Sequence, residues 1–485
     1  MKILRQPASA VFAIVIISSA ITSCSKKGNW PQFRGQESNM ISTGINLPDT
    51  WGKDKNVKWT YKIKGTGWSS PVIWGDRVFI SSAFPEKVKE QQQMPMGEPP
   101  GEGDKGRPGP GQNQRQEGPG ERPGQVPQQG HGRPMGPPPQ DTDTTFKQDI
   151  YRWEVTCVDL NTGKEIWNRV AFKGHPKVGK NPMNTYASET PATDGKRIFA
   201  YFGMTGLFCY DMNGSLLWQK DLGSFGTQQG WGTGSSPVIY NGILYLQVDN
   251  EVNSYIVALD GATGDEIWRM ARQEKTNYCT PVIWKNSLRT ELVAGGKTVR
   301  SYDPKTGKIL WELMAGGEQC IPSPVADRRH LYIGNEGGQE KKALIYAVKA
   351  GAEGDISLKA GETTGKYIEW STPDAGTGSG SPLLYKGLIY NIGGSGDITC
   401  INAADGKQLY RQRINGTAAV WSSPWACKDK IFFCDEKGVT RVLKAGYKFE
   451  KLAENRLNDK FWASAAIGGE NYVLRGVEML YCIGK

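Results

Sequence analysis

The sequence predicts an all-β protein, an eight-bladed β-propeller of four-stranded antiparallel blades closed by an N-terminal strand. Three observations predict it. A Ser/Thr-Pro start recurs along the chain, an Asp-to-Trp turn signature follows most copies, and the last unit ends one strand short while an orphan strand stands near the N-terminus. Hydrophobic residues make up only 38% of the 485, and 61 are Gly. That balance excludes a multi-span membrane protein and favours many short strands with many turns. Sixteen Trp require a repeated packing role.

The starts read Ser70-Pro71-Val72, Thr190-Pro191-Ala192, Ser236-Pro237-Val238, Thr280-Pro281-Val282, Ser323-Pro324-Val325, Ser381-Pro382-Leu383 and Ser423-Pro424-Trp425, with Ser464-Ala465-Ala466 as a degenerate eighth. Each leads through a turn into a β-rich run such as Asn241-Gly242-Ile243-Leu244-Tyr245. The turn signature runs from Asp159 through Gly163 to Trp167. It recurs as Asp260 to Trp268 and Asp303 to Trp311, with weaker copies at Asp211 with Trp218 and Asn402 with Tyr410. Asp caps the backbone of the residues after it, and Gly supplies a positive φ. Two positions before the Asp stand Cys157, Cys209, Ala258, Ser301, Ala347, Cys400, Val442 and Cys482, spaced 40 to 53 residues apart. A site that takes only small or slim side chains is a tight packing site.

The eighth unit stops at Cys482-Ile483-Gly484-Lys485, right after its third strand, and Val57 to Tyr61 supplies the missing one. This closure removes an open sheet edge. The propeller therefore spans 57–485, after a lead-in over 24–56. Residues 85–148, rich in Pro, Gly, Gln and charge, read as a disordered insertion between the second and third strands of blade one.

The N-terminus carries an address. Lys2 and Arg5 precede an apolar run from Ala10 to Thr22, too short to span a bilayer. It ends in Ile21-Thr22-Ser23-Cys24, which resembles the bacterial lipobox. Residues 1–23 are thus expected to be a lipoprotein signal peptide and Cys24 the lipidated residue. Ser25 rather than Asp at the next position fits sorting to the outer membrane, facing the periplasm. The net charge of +10 falls to about +8 once Lys2 and Arg5 are removed (10 − 2). No Lys/Arg-rich run exists, so nucleic acid is not the expected partner.

The Asp-x-x-Thr-Gly-Lys-x-x-Trp pattern resembles the pyrroloquinoline-quinone (PQQ) type of propeller repeat and covers nearly the whole mature chain. Asn29-Trp30-Pro31-Gln32-Phe33-Arg34-Gly35 resembles an N-terminal signature of secreted and lipid-anchored proteins of this class. The stretch from Phe449 to Asn455 resembles theirs as well. The class holds two functional types, the quinoprotein dehydrogenases and the non-catalytic lipoprotein (BamB) of the outer-membrane β-barrel assembly machinery. The resemblance implies that Trp59, Trp167, Trp218, Trp268 and Trp311 dock neighbouring blades.

Dehydrogenase chemistry requires motifs that are not matched here. There are no adjacent cysteines and no Cys-x-x-Cys-His, and calcium ligands cannot be placed residue by residue. His131, His175 and His330 are too few for a His-rich metal site. Gly295-Gly296-Lys297-Thr298 lacks the first Gly of a phosphate loop, since Glu291 stands there, and reads as a turn. No catalytic or metal residue is therefore assigned. Cys427 and Cys434 could face each other across a hairpin as a disulfide. Trp68, Tyr186, Trp231, Tyr278, Trp421 and Trp462 cluster where inner strands begin, at one mouth of the channel. Rings there either stack on a sugar, quinone or peptide, or simply close the core. The expected function is a monomeric, non-catalytic, membrane-anchored scaffold binding an envelope protein or polysaccharide, with no cofactor. The alternatives are a PQQ- and calcium-dependent alcohol or sugar dehydrogenase and a carbohydrate-binding propeller.

Overall fold

Short β-rich runs joined by tight turns pair with their neighbours in sequence. The Asn241-Gly242 turn does so with φ of 49° and 81°. The computed structural model describes residues 28–42, 44, 46–86, 147, 149–317, 319–335, 344–373 and 378–485. The expected signal segment, Cys24, His131 and nearly all of the expected insertion lie outside the described residues.

The described residues form eight antiparallel meanders, one per blade, with strands A to D running from the axis outward. Blade 1 is Val72–Trp74, Arg77–Pro85, Tyr151–Asp159 and Glu165–Gly174. The segment expected to be an insertion falls between strands B and C of this blade. Val57–Lys62 pairs with Met479–Ile483 and completes blade 8. Blade 4 alone carries a fifth strand, Gly354–Asp355, lying parallel to its outer strand Ile309–Met314.

Register explains the slim positions. Cys157 faces Trp167, Cys209 faces Trp218, Ala258 faces Trp268, Ala347 faces Trp370 and Cys482 faces Trp59, each across strands C and D. The indole N–H then reaches the next blade. Trp59 donates to the Leu160 carbonyl at 2.8 Å, Trp167 to Met212 at 3.0 Å, Trp218 to Gly261 at 3.2 Å, Trp268 to Pro304 at 3.0 Å and Trp370 to Ala403 at 3.1 Å. The turn glycine of that next blade lies on the ring. At Gly163 (φ 72°) a Cβ would come within 2.6 Å of Trp59, so only Gly lets the blades close. Trp311 departs from this pattern. It faces Ser301 and donates to Glu291 of its own blade at 2.7 Å, because blade 5 has Lys349 at the turn-capping position and no Asp-Gly turn to receive it.

The starts of the A strands make a closed ring. Ser70 N donates to Thr190 Oγ1, Thr190 N to Ser236 Oγ, Ser236 N to Thr280 Oγ1 and Thr280 N to Ser323 Oγ. Ser323 N donates to Ser381 Oγ, Ser381 N to Ser423 Oγ, Ser423 N to Ser464 Oγ and Ser464 N back to Ser70 Oγ, all between 2.9 and 3.2 Å. All eight residues are buried.

The lead-in crosses the end of the channel where strands A turn into B. Trp30 pairs with Ile73, the Pro31 carbonyl accepts from Thr193 N, and Gln32 Oε1 accepts from Ile239 N. Arg34, buried and at φ 65°, donates to the carbonyls of Ser323, Pro324 and Pro382. Burial lowers its guanidinium to about 9.

Cys427 and Cys434, which the sequence left open as a disulfide, are both free and buried. Strand register is the reason: Cys427 opposes Lys430 and Cys434 opposes Thr440. Gly295 to Thr298 is a B–C turn, as expected, between Thr290–Ala294 and Thr298–Tyr302. His175 Nδ1 lies 3.2 Å from the Asp149 carbonyl and His330 Nε2 lies 3.8 Å from Glu369, so both have partners that the sequence did not reveal.

Ser323→Ala leaves the Thr280 N–H buried without its acceptor. Urea unfolding is expected to show a loss of about 1–3 kcal/mol, which Ser323→Thr restores.

Candidate functional site

Ring and plug together make a blind cup on the propeller axis, about 580 Å³ in volume. Phe33 of the plug and all eight ring residues line it, and its mouth opens on the face of the B–C loops. Each ring hydroxyl accepts the N–H of its neighbour and retains one O–H to donate.

The sequence-predicted aromatics divide. Trp68, Trp231, Tyr278, Trp421 and Trp462 all line the cup, half-buried. Trp462 is sandwiched, its ring centroid 4.9 Å from Trp68 and 4.5 Å from Trp421, with planes 13° and 4° apart. Within this stack both faces of Trp462 are covered, and only the outer faces of Trp68 and Trp421 remain for a ligand. Their indole nitrogens are held by the Met183 carbonyl at 2.9 Å and by Glu436 at 3.2 Å. The Tyr278 hydroxyl is buried and has no hydrogen-bond partner among the described residues. Tyr186 is not part of the cup. Its ring packs edge-on to Tyr151 at 5.0 Å and against Trp153, and its hydroxyl donates to the Val178 carbonyl. Its ring packs instead against the blade 1–2 core.

Amides complete the wall. Asn184 donates to the carbonyls of Trp231 and Thr233, and Gln319 reaches Gln228 across the mouth. The residues described as lining the cup are hydroxyl, amide, aromatic and apolar, with no ionisable acid or base besides the Tyr278 phenol. Glu189 stands directly behind the wall. It is buried between the cup residues Ser188 and Thr190, and its carboxyl accepts from Thr233 Oγ1. Burial raises that carboxyl to about 7.

Several of these residues escaped the sequence reading. Phe33 and Arg34 stood in a recognised motif whose place in the fold was not legible. Asn184, Gln228 and Gln319 lie in irregular connections with no periodic pattern. Glu189 carries a weak signal, a carboxylate immediately before a Thr-Pro start, where the other copies have small or neutral residues.

A family model described as outer membrane protein assembly factor BamB matches residues 152–319 and 295–446, more than half of the chain. The chain belongs to this family. It is a PQQ-type propeller, a group that takes in BamB-like and quinoprotein-dehydrogenase-like members. Over 256 residues it is 25% identical to the tetrathionate hydrolase of Acidithiobacillus ferrooxidans, covering 48% of this chain and 46% of that protein. Over 136 residues it is 28% identical to BamB of Moranella endobia, covering 28% and 31%. The chain thus spans less than half the length of these curated relatives. Among solved structures, a europium-containing methanol dehydrogenase superposes with a TM-score of 0.56 at 11% identity, covering 93% of this chain and 90% of its own. The quinohaemoprotein alcohol dehydrogenase of Comamonas testosteroni gives 0.54 at 11%, covering 96% and 81%. At these identities the likeness is one of fold.

The Glu189 carboxyl titrates near 7 when folded and near 4.5 when not. The folded state holds the extra proton in that window, so the stability this group contributes is lost as pH rises from 4.5 to 7. Between pH 4.5 and pH 8, Glu189→Gln should gain about 3 kcal/mol relative to the parent chain, read by urea unfolding at both pH values. A pH-independent difference would place the proton elsewhere.

Proposed function

We propose that this chain is a non-catalytic scaffold of the bacterial cell envelope, tethered through Cys24 at the outer membrane and facing the periplasm. It acts as a monomer and receives an envelope protein at the mouth of the axial cup. The observation that carries this reading is the composition of the cup. Its described wall offers hydroxyls, amides and ring faces, which bind, and no carboxylate, imidazole or cation with which to do acid–base or nucleophilic work. The family's own description, an assembly factor, points the same way.

The cup does not fit PQQ with calcium. That cofactor carries three carboxylates and its calcium needs anionic oxygen ligands. Among the described residues no cluster of three or more His, Cys, Asp or Glu suited to a metal is present, and the wall has no Lys or Arg to meet a carboxylate. A dianion such as tetrathionate meets the same difficulty.

A second reading is a neutral sugar unit of an envelope polysaccharide. It is favoured by the outer faces of Trp68 and Trp421 and by the hydroxyls and amides that line the cup.

A photo-crosslinking amino acid at Met183, exposed on the cup rim, should trap envelope proteins in the cell, while the same group at Asn241 on the plug face should not. Equal capture from both faces, or none from Met183, would count against the protein-scaffold reading. Cys24→Ser should release the chain from the membrane fraction. Calorimetry with PQQ, with and without Ca²⁺, should show no binding, and calcium-dependent micromolar binding would restore the dehydrogenase.

A further inference from the structure

Two cysteines that no repeat position accounts for meet between blades 4 and 5. Cys279 precedes strand A of blade 4 and Cys320 precedes strand A of blade 5, 41 positions later (320 − 279). The amides of Tyr278 and Cys279 both donate to the Cys320 carbonyl at 3.0 Å. These bonds bring the two backbones into direct contact, as the short Cα separation across a disulfide requires. The sulfurs converge as well. A Cβ built on Gly295 would lie 2.6 Å from Cys279 Sγ and 2.8 Å from Cys320 Sγ. Both thiols therefore rest on one glycine, whose carbonyl is pinned by Arg272 at 2.7 Å and Gln247 at 2.9 Å. The remaining described cysteines have no such neighbour. Cys157, Cys209, Cys400 and Cys482 sit one to a blade, and Cys427 and Cys434 are held apart by register.

We propose that Cys279 and Cys320 are a modification site, joined by a disulfide that cross-links blades 4 and 5 behind the cup wall. The co-reactant is a small-molecule or protein disulfide. One cysteine thiolate attacks a sulfur of that disulfide and expels the first thiol. The second cysteine then displaces the other thiol from the mixed disulfide. Two cysteine thiols and one disulfide become one cystine and two released thiols, which carry both protons and both electrons. Neither cysteine is accessible in the closed propeller. Contact with Cys279, together with burial, holds the Cys320 thiol well above its ordinary range, which disfavours the attacking thiolate. The bond accordingly forms while blades 4 and 5 are still closing and is shielded from reductants afterwards. Tyr278, Gln319 and Ile321 flank the two cysteines and line the cup, so the cross-link fixes the width of that wall whatever the cup holds.

The test is refolding of the full chain from denaturant in a reduced/oxidised glutathione buffer, then alkylation and non-reducing tryptic digestion. The expected product links the peptide 276–285 to the peptide 309–328. A melting temperature about 5 °C above that of the fully reduced chain should accompany it. Cys279→Ser and Cys320→Ser should each abolish the linked peptide and the difference in melting. The oxidised and reduced parent chains provide the same comparison if a variant folds poorly. Alkylated thiols at both positions in a natively folded, oxidant-treated chain would overturn the proposal. So would linkage of either residue to another cysteine in equal amount.

Discussion

Eight backbone amides at the head of the inner strands are buried where the blades meet and find their partners only in the next blade. Each is satisfied by the Ser or Thr hydroxyl of the next blade, and the eighth bond returns to the first. An unmade buried hydrogen bond is far more costly than a made one is stabilising. The ring thus specifies blade number as well as stability, since a ring that gained or lost a blade would have to re-space every bond. Pro follows the hydroxyl in seven of the eight copies. It has no N–H, so no second donor is left facing the axis.

The same ring creates the site. Hydroxyls that would otherwise clutter the channel are locked as acceptors, and their remaining hydrogens become part of a neutral lining. The lead-in then stops the far end. Arg34 is held there by three carbonyls from two blades, and with no carboxylate among these partners its positive charge stays buried beneath the floor. The result is a blind recess with a described lining of hydroxyls, amides and aromatic rings. Glu189, kept largely protonated behind the wall at acidic pH, preserves the neutrality of that lining.

Outer docking obeys a separate rule. A slim residue on strand C admits the Trp of strand D, and the indole binds the turn of the neighbouring blade. Where the next turn is missing, as in blade 5, Trp311 turns instead to Glu291, which is also held by Ser301 and Asn286. The long connection that replaces that turn lends Gly354–Asp355 to blade 4 as an extra strand. Blade 5 then docks onward through Trp370.

Patterns set by near neighbours were legible in the sequence. Ser/Thr-Pro starts counted the blades, Asp-to-Trp turns placed the outer strands, and the missing last strand located Val57–Lys62, because turns and hairpins are made by residues a few positions apart. Trp370 was hidden, since a long connection separates it from Lys349 and breaks the spacing that revealed the other tryptophans. Tyr186 was misplaced because distance from the Pro does not separate it from Trp231, which stands further from its own Pro and still lines the cup. What only the closed ring decided joins residues far apart in the chain. Arg34 lies 348 positions from the Pro382 carbonyl it binds, Trp462 is wedged between rings from two other blades, and Cys279 meets Cys320 over a glycine. No local period encodes such meetings. They follow from the curvature that brings eight similar units around one axis.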